Sequence, residues 1–265
     1  MDRERAVAGR FYDGERRALA REVAAWLAPP AGRIRALGVV VPHAGYIYSG
    51  AIAGAVYARV EVPQRVIVLG PNHTGLGRPA ALWPADGGWR TPLGTVPVSP
   101  ALTDALAAAP LVERDRAAHL REHSIEVQVP FLQSSRTDLE LAALCLGPLS
   151  VAQCEAIGRT VAAAARTHGA LVVASSDMSH YIPAEEARAK DQLAIDQILA
   201  LDPEGLHRTV RREDISMCGV IPATVMLFAA RELGATRAEL VRYGSSGDVT
   251  GDHREVVGYA GLMVA

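Results

Sequence analysis

The stretch Val39 to Gly75, VVVPHAGYIYSGAIAGAVYARVEVPQRVIVLGPNHTG, sets two β-branched runs on either side of a segment rich in Ala and Gly. Short apolar runs of this kind suit buried strands, and Ser49 to Arg59 between them reads as a helix. His43 follows the first run and His73 the second, 30 residues apart. About 30 residues is the length of one strand, helix, strand unit. A crossover helix makes the two strands parallel, so both imidazoles leave the sheet at one edge, within reach of a single ion. Ligands of open α/β sheets bind at that carboxyl edge.

The alternation continues along the chain. Strands are expected at Leu37 to Val41, Arg65 to Leu69, Leu139 to Leu146, Ala170 to Ala174, Leu240 to Tyr243 and Glu255 to Met263. Helices are expected at Arg16 to Leu27, Ser49 to Arg59, Pro100 to Ala108, Ser124 to Gln133, Val151 to Thr167, Ala184 to Leu201 and Pro222 to Leu233, several opened by Pro, Ser or Asp. Gly75 to Val98 is dense in Gly and Pro and reads as loops with short strands, a hairpin excursion able to wall a cleft. No repeat or linker divides the chain, so residues 1–265 read as one α/β domain: a central mostly parallel or mixed sheet flanked by helices.

Composition excludes several classes. The 265 residues are 49% apolar and 21% charged, which suits a globular chain and excludes disorder. Lys and Arg total 27 against 29 Asp and Glu, so no basic field for nucleic acid exists. No apolar run approaches the ~20 residues of a membrane span, and the first residues are charged where a signal peptide is apolar, which points to the cytoplasm. Three cysteines, an odd number at irregular spacing, read as reduced thiols. Cys145 and Cys154 read as buried or helix-face residues. Cys218, in ISMCGVIP before a helix, can turn its thiol to a loop cavity, where sulfur suits iron, copper(I) or zinc.

Further polar groups gather after other strands. SSDMSH carries Asp177 and His180, three residues apart, which share one side if a helical turn begins there. Asp177 can then accept a hydrogen bond from a ligand histidine or from His180; an N-cap role accounts for it equally well. REHSIEVQ carries Glu122, His123 and Glu126, read either as acid-base or metal groups or, at least as readily, as a solvated first helical turn. His253 and Asp248 are weaker cleft candidates. The nucleophile elbow, the P-loop, GxGxxG and HExxH are absent.

These residues resemble a known family. AGRFY (Ala8 to Tyr12), VVPHAGYIYSG, VIVLGPNHTG, the W-TPLG segment at Trp89 to Gly94, EHSIEVQVPFLQ, SSDMSHY, MCG and the terminal GDxxxVVGYA are similar to blocks of the Memo family, also labelled AmmeMemoRadiSam system protein B. The resemblance spans nearly the whole chain. It implies a fold like the B-type subunit of class III non-haem iron extradiol dioxygenases, where two histidines and a carboxylate hold ferrous iron. Carried over by motif, His43, His73 and Cys218 become the metal ligands, with Fe(II) first, copper second and zinc third. Asp177 and His180 become the catalytic pair, His180 moving a proton and Asp177 orienting it. Cysteine in the carboxylate's place means that ring cleavage does not carry over, which leaves an oxidoreductase of unnamed substrate. The alternative is a non-enzymatic protein binding a peptide or metal in the same cleft. Implied partners are a small molecule or peptide, an Ammecr-type domain and a radical S-adenosylmethionine protein, with neither nucleic acid nor membrane.

Overall fold

The computed structural model describes residues 1–28 and 32–265. Its strands are β1 Gly38–Val41, β2 Arg65–Pro71, β3 Ala80–Leu82, β4 Gly88–Thr91, β5 Gly94–Pro97, β6 Val112–Arg114, β7 Glu140–Leu146, β8 Leu171–Ser175, β9 His180–Ile182, β10 Ala238–Ser245 and β11 Val256–Val264. Its helices are α1 Arg16–Trp26, α2 Tyr46–Arg59, α3 Pro100–Leu106, α4 Val129–Ser135, α5 Val151–His168, α6 Ala184–Leu199, α7 Pro203–Arg212, α8 Val220–Glu232 and α9 Gly247–Thr250.

Among the described residues the main sheet runs β10-β11-β1-β8-β2-β7-β3-β6, with β9 added beside β11. Its centre, β1, β8, β2 and β7, is parallel, while β11 and β3 close it antiparallel on either side. The chain is thus a single mixed α/β domain. Alternate residues of the central strands enter two separate cores, as the two-residue period of a strand requires. Val39, Val41, Val66, Val68 and Val173 meet α1, α2 and α4, whereas Val40, Ile67, Leu69, Val172 and Ala174 meet α5 and α8. Burial on both faces explains why these strands read as continuous apolar runs.

The strands bearing His43 and His73 are parallel as expected, with β8 between them and paired with both. Three expectations change. Residues 122–125 are not helical: the chain turns there around the Glu122 carboxylate, which takes the backbone N–H of His123 and Ser124 at 2.9 Å each. Helix begins only as a 3-10 turn at Glu126–Gln128, followed by α4. Asp177 to His180 starts no helical turn; it runs into β9, held by β11. Helix α7 was not anticipated, although Asp202 caps it and Pro203 opens it.

The β4–β5 hairpin lies against the amino terminus, with Arg3 bridged to Trp89, and supplies no lining to the cavity beside His73. Arg3 is fully buried, ion-paired to the equally buried Glu126, and its guanidinium donates to the carbonyls of His119 and Glu122. Glu126 also accepts the N–H groups of Ala6 (2.8 Å) and Val7 (3.1 Å) and the hydroxyl of Tyr12 (2.6 Å). Neither Glu122 nor Glu126 belongs to a solvated first turn.

His119 lies buried against the edges of Trp83 and Trp89, its Nε2–H donating to the Ala81 carbonyl at 2.9 Å. Burial pushes its pKa down to about 4.

Two outcomes are expected. Arg3→Met leaves a buried carboxylate without its cation and lowers unfolding free energy by about 3–5 kcal/mol in chemical denaturation, whereas Arg5→Met at an exposed neighbour changes it by under about 0.5 kcal/mol. For His119 the depressed native pKa means that the unfolded state binds more protons at mildly acidic pH. Its contribution to stability is complete above the unfolded value near 6.5 and falls away as pH drops toward 4, by about 3 kcal/mol in all. The slope of stability against pH across that window should be flatter in His119→Leu than in the wild type.

Candidate metal centre

Three neighbouring parallel strands end at one edge, and the residue two positions past each end is polar: His43 after β1, Asp177 after β8 and His73 after β2. The outer two lean over β8, so that the ring centroids of His43 and His73 are 5.2 Å apart. Cys218 arrives from the turn before α8. His43 Nε2 is 3.2 Å from Cys218 Sγ, and one donor atom each from His43, His73 and Cys218 all lie within 4.8 Å of one another.

Gly219 makes that approach feasible. A Cβ there would stand 2.3 Å from the Ser175 carbonyl oxygen and 2.4 Å from Ser176 Cβ, so only glycine lets the turn sit on the end of β8. Its N–H donates to Ser176 Oγ at 3.0 Å, and the Asp177 N–H donates to Cys218 Sγ at 3.3 Å.

The second ring nitrogen of each histidine is fixed by a partner. Ser175 Oγ gives its one proton to the Ser124 carbonyl (2.7 Å) and accepts from Gln128 Nε2 (2.8 Å). Its 2.9 Å contact with His43 Nδ1 therefore requires Nδ1 to donate, which leaves Nε2 as a bare lone pair aimed at Cys218. Burial, with the neighbouring histidines His123, His73 and His180, holds the His43 pKa well below the usual value, so the ring is neutral.

His73 is bound similarly, by a carboxylate. Its Nδ1 donates to Glu122 Oε1 at 2.9 Å, and its backbone N–H donates to Oε2 at 2.7 Å. Burial pushes its pKa down, but the Glu122 hydrogen bond and charge outweigh this, and the net shift is upward. Burial works in the opposite sense on Glu122, yet His73 and the backbone N–H groups bring its pKa to about 2. With four N–H groups on its two oxygens, Glu122 is committed to orienting His73.

Asp177 is buried and accepts the His43 backbone N–H at 2.7 Å, not an imidazole proton. Burial raises its pKa. His180 is half-buried, its backbone N–H on Ser216 Oγ (2.7 Å) and its Nδ1–H on the Ser216 carbonyl (3.0 Å), so Ser216 and not Asp177 sets the ring's orientation. Burial and the charge of Asp177 push the Cys218 thiol up. Cys145 and Cys154 are buried, away from this group.

His123 joins the site. Its ring stacks on His73 at 4.8 Å, lies 5.4 Å from His43 and 4.7 Å from Phe11, and burial lowers its pKa to about 4. His73, Glu122 and His123 form a second close donor group. The signal was present in EHSIE, but this segment follows no strand.

The donor set suits one ion. Bonds of ~2.0–2.3 Å to nitrogen and sulfur place ligand atoms roughly 3–4.5 Å apart, and carboxylate or hydroxyl groups behind each ring are what ligand histidines require.

The family model described as Memo-like protein matches residues 3–263. A MEMO1 family protein of Aquifex aeolicus is 42% identical over 263 residues, covering 98% of each chain. One from Methanococcoides burtonii is 42% identical over 266 residues, covering 99% of each. The crystal structure of uncharacterized protein JW3007 from Escherichia coli K12 matches with a TM-score of 0.52 at 18% identity, over 86% of this chain and 99% of that one, a likeness of fold. No helix among the described residues is long and apolar enough to cross a membrane.

The hydrogen bonds around Ser175 fix an observable. Nitrogen-15 imidazole spectra of the metal-free protein at neutral pH should show His43 neutral and protonated on Nδ1. Ser175→Ala should mix the two tautomers; an Nε2-protonated ring in the wild type would contradict this account.

Proposed function

The chain belongs to the Memo-like protein family, and on that premise we propose that it binds one metal ion through His43, His73 and Cys218, iron(II) before copper and copper before zinc, and acts as an oxidoreductase on a small ligand. The observation that carries this reading is the pair of imidazoles, each held from behind by an acceptor, converging with a thiol. A bound ferrous or copper ion would supply an open coordination position and a one-electron redox change.

The chain's own residues have separate tasks. Ser175 and Glu122 orient the two rings and keep Nδ1 protonated. The Asp177 N–H supports sulfur as an acceptor, and the cation's charge offsets the burial that otherwise keeps Cys218 protonated. His180, with Nδ1 bound to the Ser216 carbonyl, presents Nε2 to give or take a proton. Asp177 positions the His43 backbone and places a carboxylate among these groups. Sulfur in the ligand set sets the site apart from the two-histidine, one-carboxylate arrangement, and aromatic ring cleavage is not part of the proposal.

A second reading, capture of a peptide, is favoured by a large side chain left exposed beside a candidate site residue: Tyr181, adjoining His180, is 73% exposed at φ 58.

Anaerobic titration with Fe(II) and Cu(I) tests the first reading. Stoichiometric binding is expected in the wild type and its loss in His73→Ala. Glu122→Gln should weaken affinity by roughly 10–100-fold, and Cys218→Ser should remove sulfur-to-metal charge-transfer absorption. If neither ion binds stoichiometrically, the metal reading fails. Loaded protein that consumes no oxygen with candidate phenols, yet binds peptides tightly, supports the second reading.

A further inference from the structure

A cavity of about 320 Å³ opens beside the donor group, with His73 and Cys218 in its wall. Much of the lining is apolar, from Leu146 at the end of β7, Leu149 beyond it and Ile221 at the start of α8. The last turn of α7 adds Arg211, and none of the lining residues is acidic. Arg212 beside it is paired with Glu213 at 2.6 Å, whereas Arg211 makes neither an ion pair nor a side-chain hydrogen bond among the described residues. The cavity therefore combines a wall of His73 and Cys218, apolar sides and one guanidinium without an ion-pair partner among the described residues.

We propose that this cavity binds a small apolar molecule carrying a single carboxylate, anchored by Arg211, with its other end toward His73 and Cys218. A guanidinium presents a planar fork that matches a carboxylate. A dianion such as phosphate calls for several free donors, whereas the lining's Asn72 already donates Nδ2 to the Leu76 carbonyl (2.8 Å) and its His207 donates Nε2 to the Leu149 carbonyl (3.2 Å). Pockets of about this size accept small ligands whose orientation is set by a few polar groups. The inference deepens the reading above by naming the ligand class, and rests on that reading only for what happens at the ion.

Carboxylates can also bind a metal, so the test uses the metal-free full chain, and its result is independent of whether the metal reading holds. Phenylacetate and phenylacetamide, alike in shape and different in charge, are titrated while amide chemical shifts of the protein are followed. Phenylacetate should bind about three- to tenfold more tightly than the amide, with shifts around Leu149 and Ile221. Arg211→Gln should abolish the preference. Arg208→Gln, on the same helix but outside the cavity lining, should retain it. Equal binding of acid and amide to the wild type, a preference that survives Arg211→Gln, or no binding of either probe would each overturn the proposal.

Discussion

Parallel pairing of β1 with β8 and of β8 with β2 is the constraint on which the candidate site depends. Three strands running the same way finish at one edge, about 4.8 Å between neighbours, and each passes its next residues into the same layer of loops. Had the histidine-bearing strands been adjacent, their side chains would have stood next to each other with no gap to fill. With β8 between them they arch over its end, and the turn carrying Cys218 lands in the space beneath. The close approach at Gly219 is the mark of that landing.

Around this edge the buried polar groups are tied into one another. Gln128 reaches the Pro42 carbonyl at 3.0 Å and Ser175 at 2.8 Å while accepting the Tyr57 hydroxyl at 3.0 Å, so α2 and the ends of β1 and β8 are joined through one side chain. Such networks are favourable only when every member is satisfied, and here saturation has a chemical consequence. Because the serine hydroxyl and the Glu122 carboxylate have no proton to spare for a ring, each imidazole must carry its proton on the side facing the protein.

The central strands were legible because burial on both faces writes them as unbroken β-branched runs, and His43 and His73 were legible because they stand just past two of those runs. The position of β8 between them was not, since strand order is a property of non-local pairing. The same holds for Asp177 to His180, whose local spacing suggests a turn but which runs alongside β11 and leads into β9 at His180. In the sequence Glu122 reads at least as readily as a solvated acid, because the partner that explains it, His73, lies 49 residues away. Helix α7 is not expected from the sequence, because the pattern of the preceding helix continues to Leu201, just before the Asp202 and Pro203 that announce a new start.

Arg3 and Glu126 are separated by 123 positions in the chain, yet they share one sealed ion pair. Loop closure over so long a stretch is unfavourable until other contacts have shortened it. The hold on residues 3–12 is therefore non-local: four contacts to one carboxylate more than a hundred positions away tie Arg3, Ala6, Val7 and Tyr12 to the folded chain.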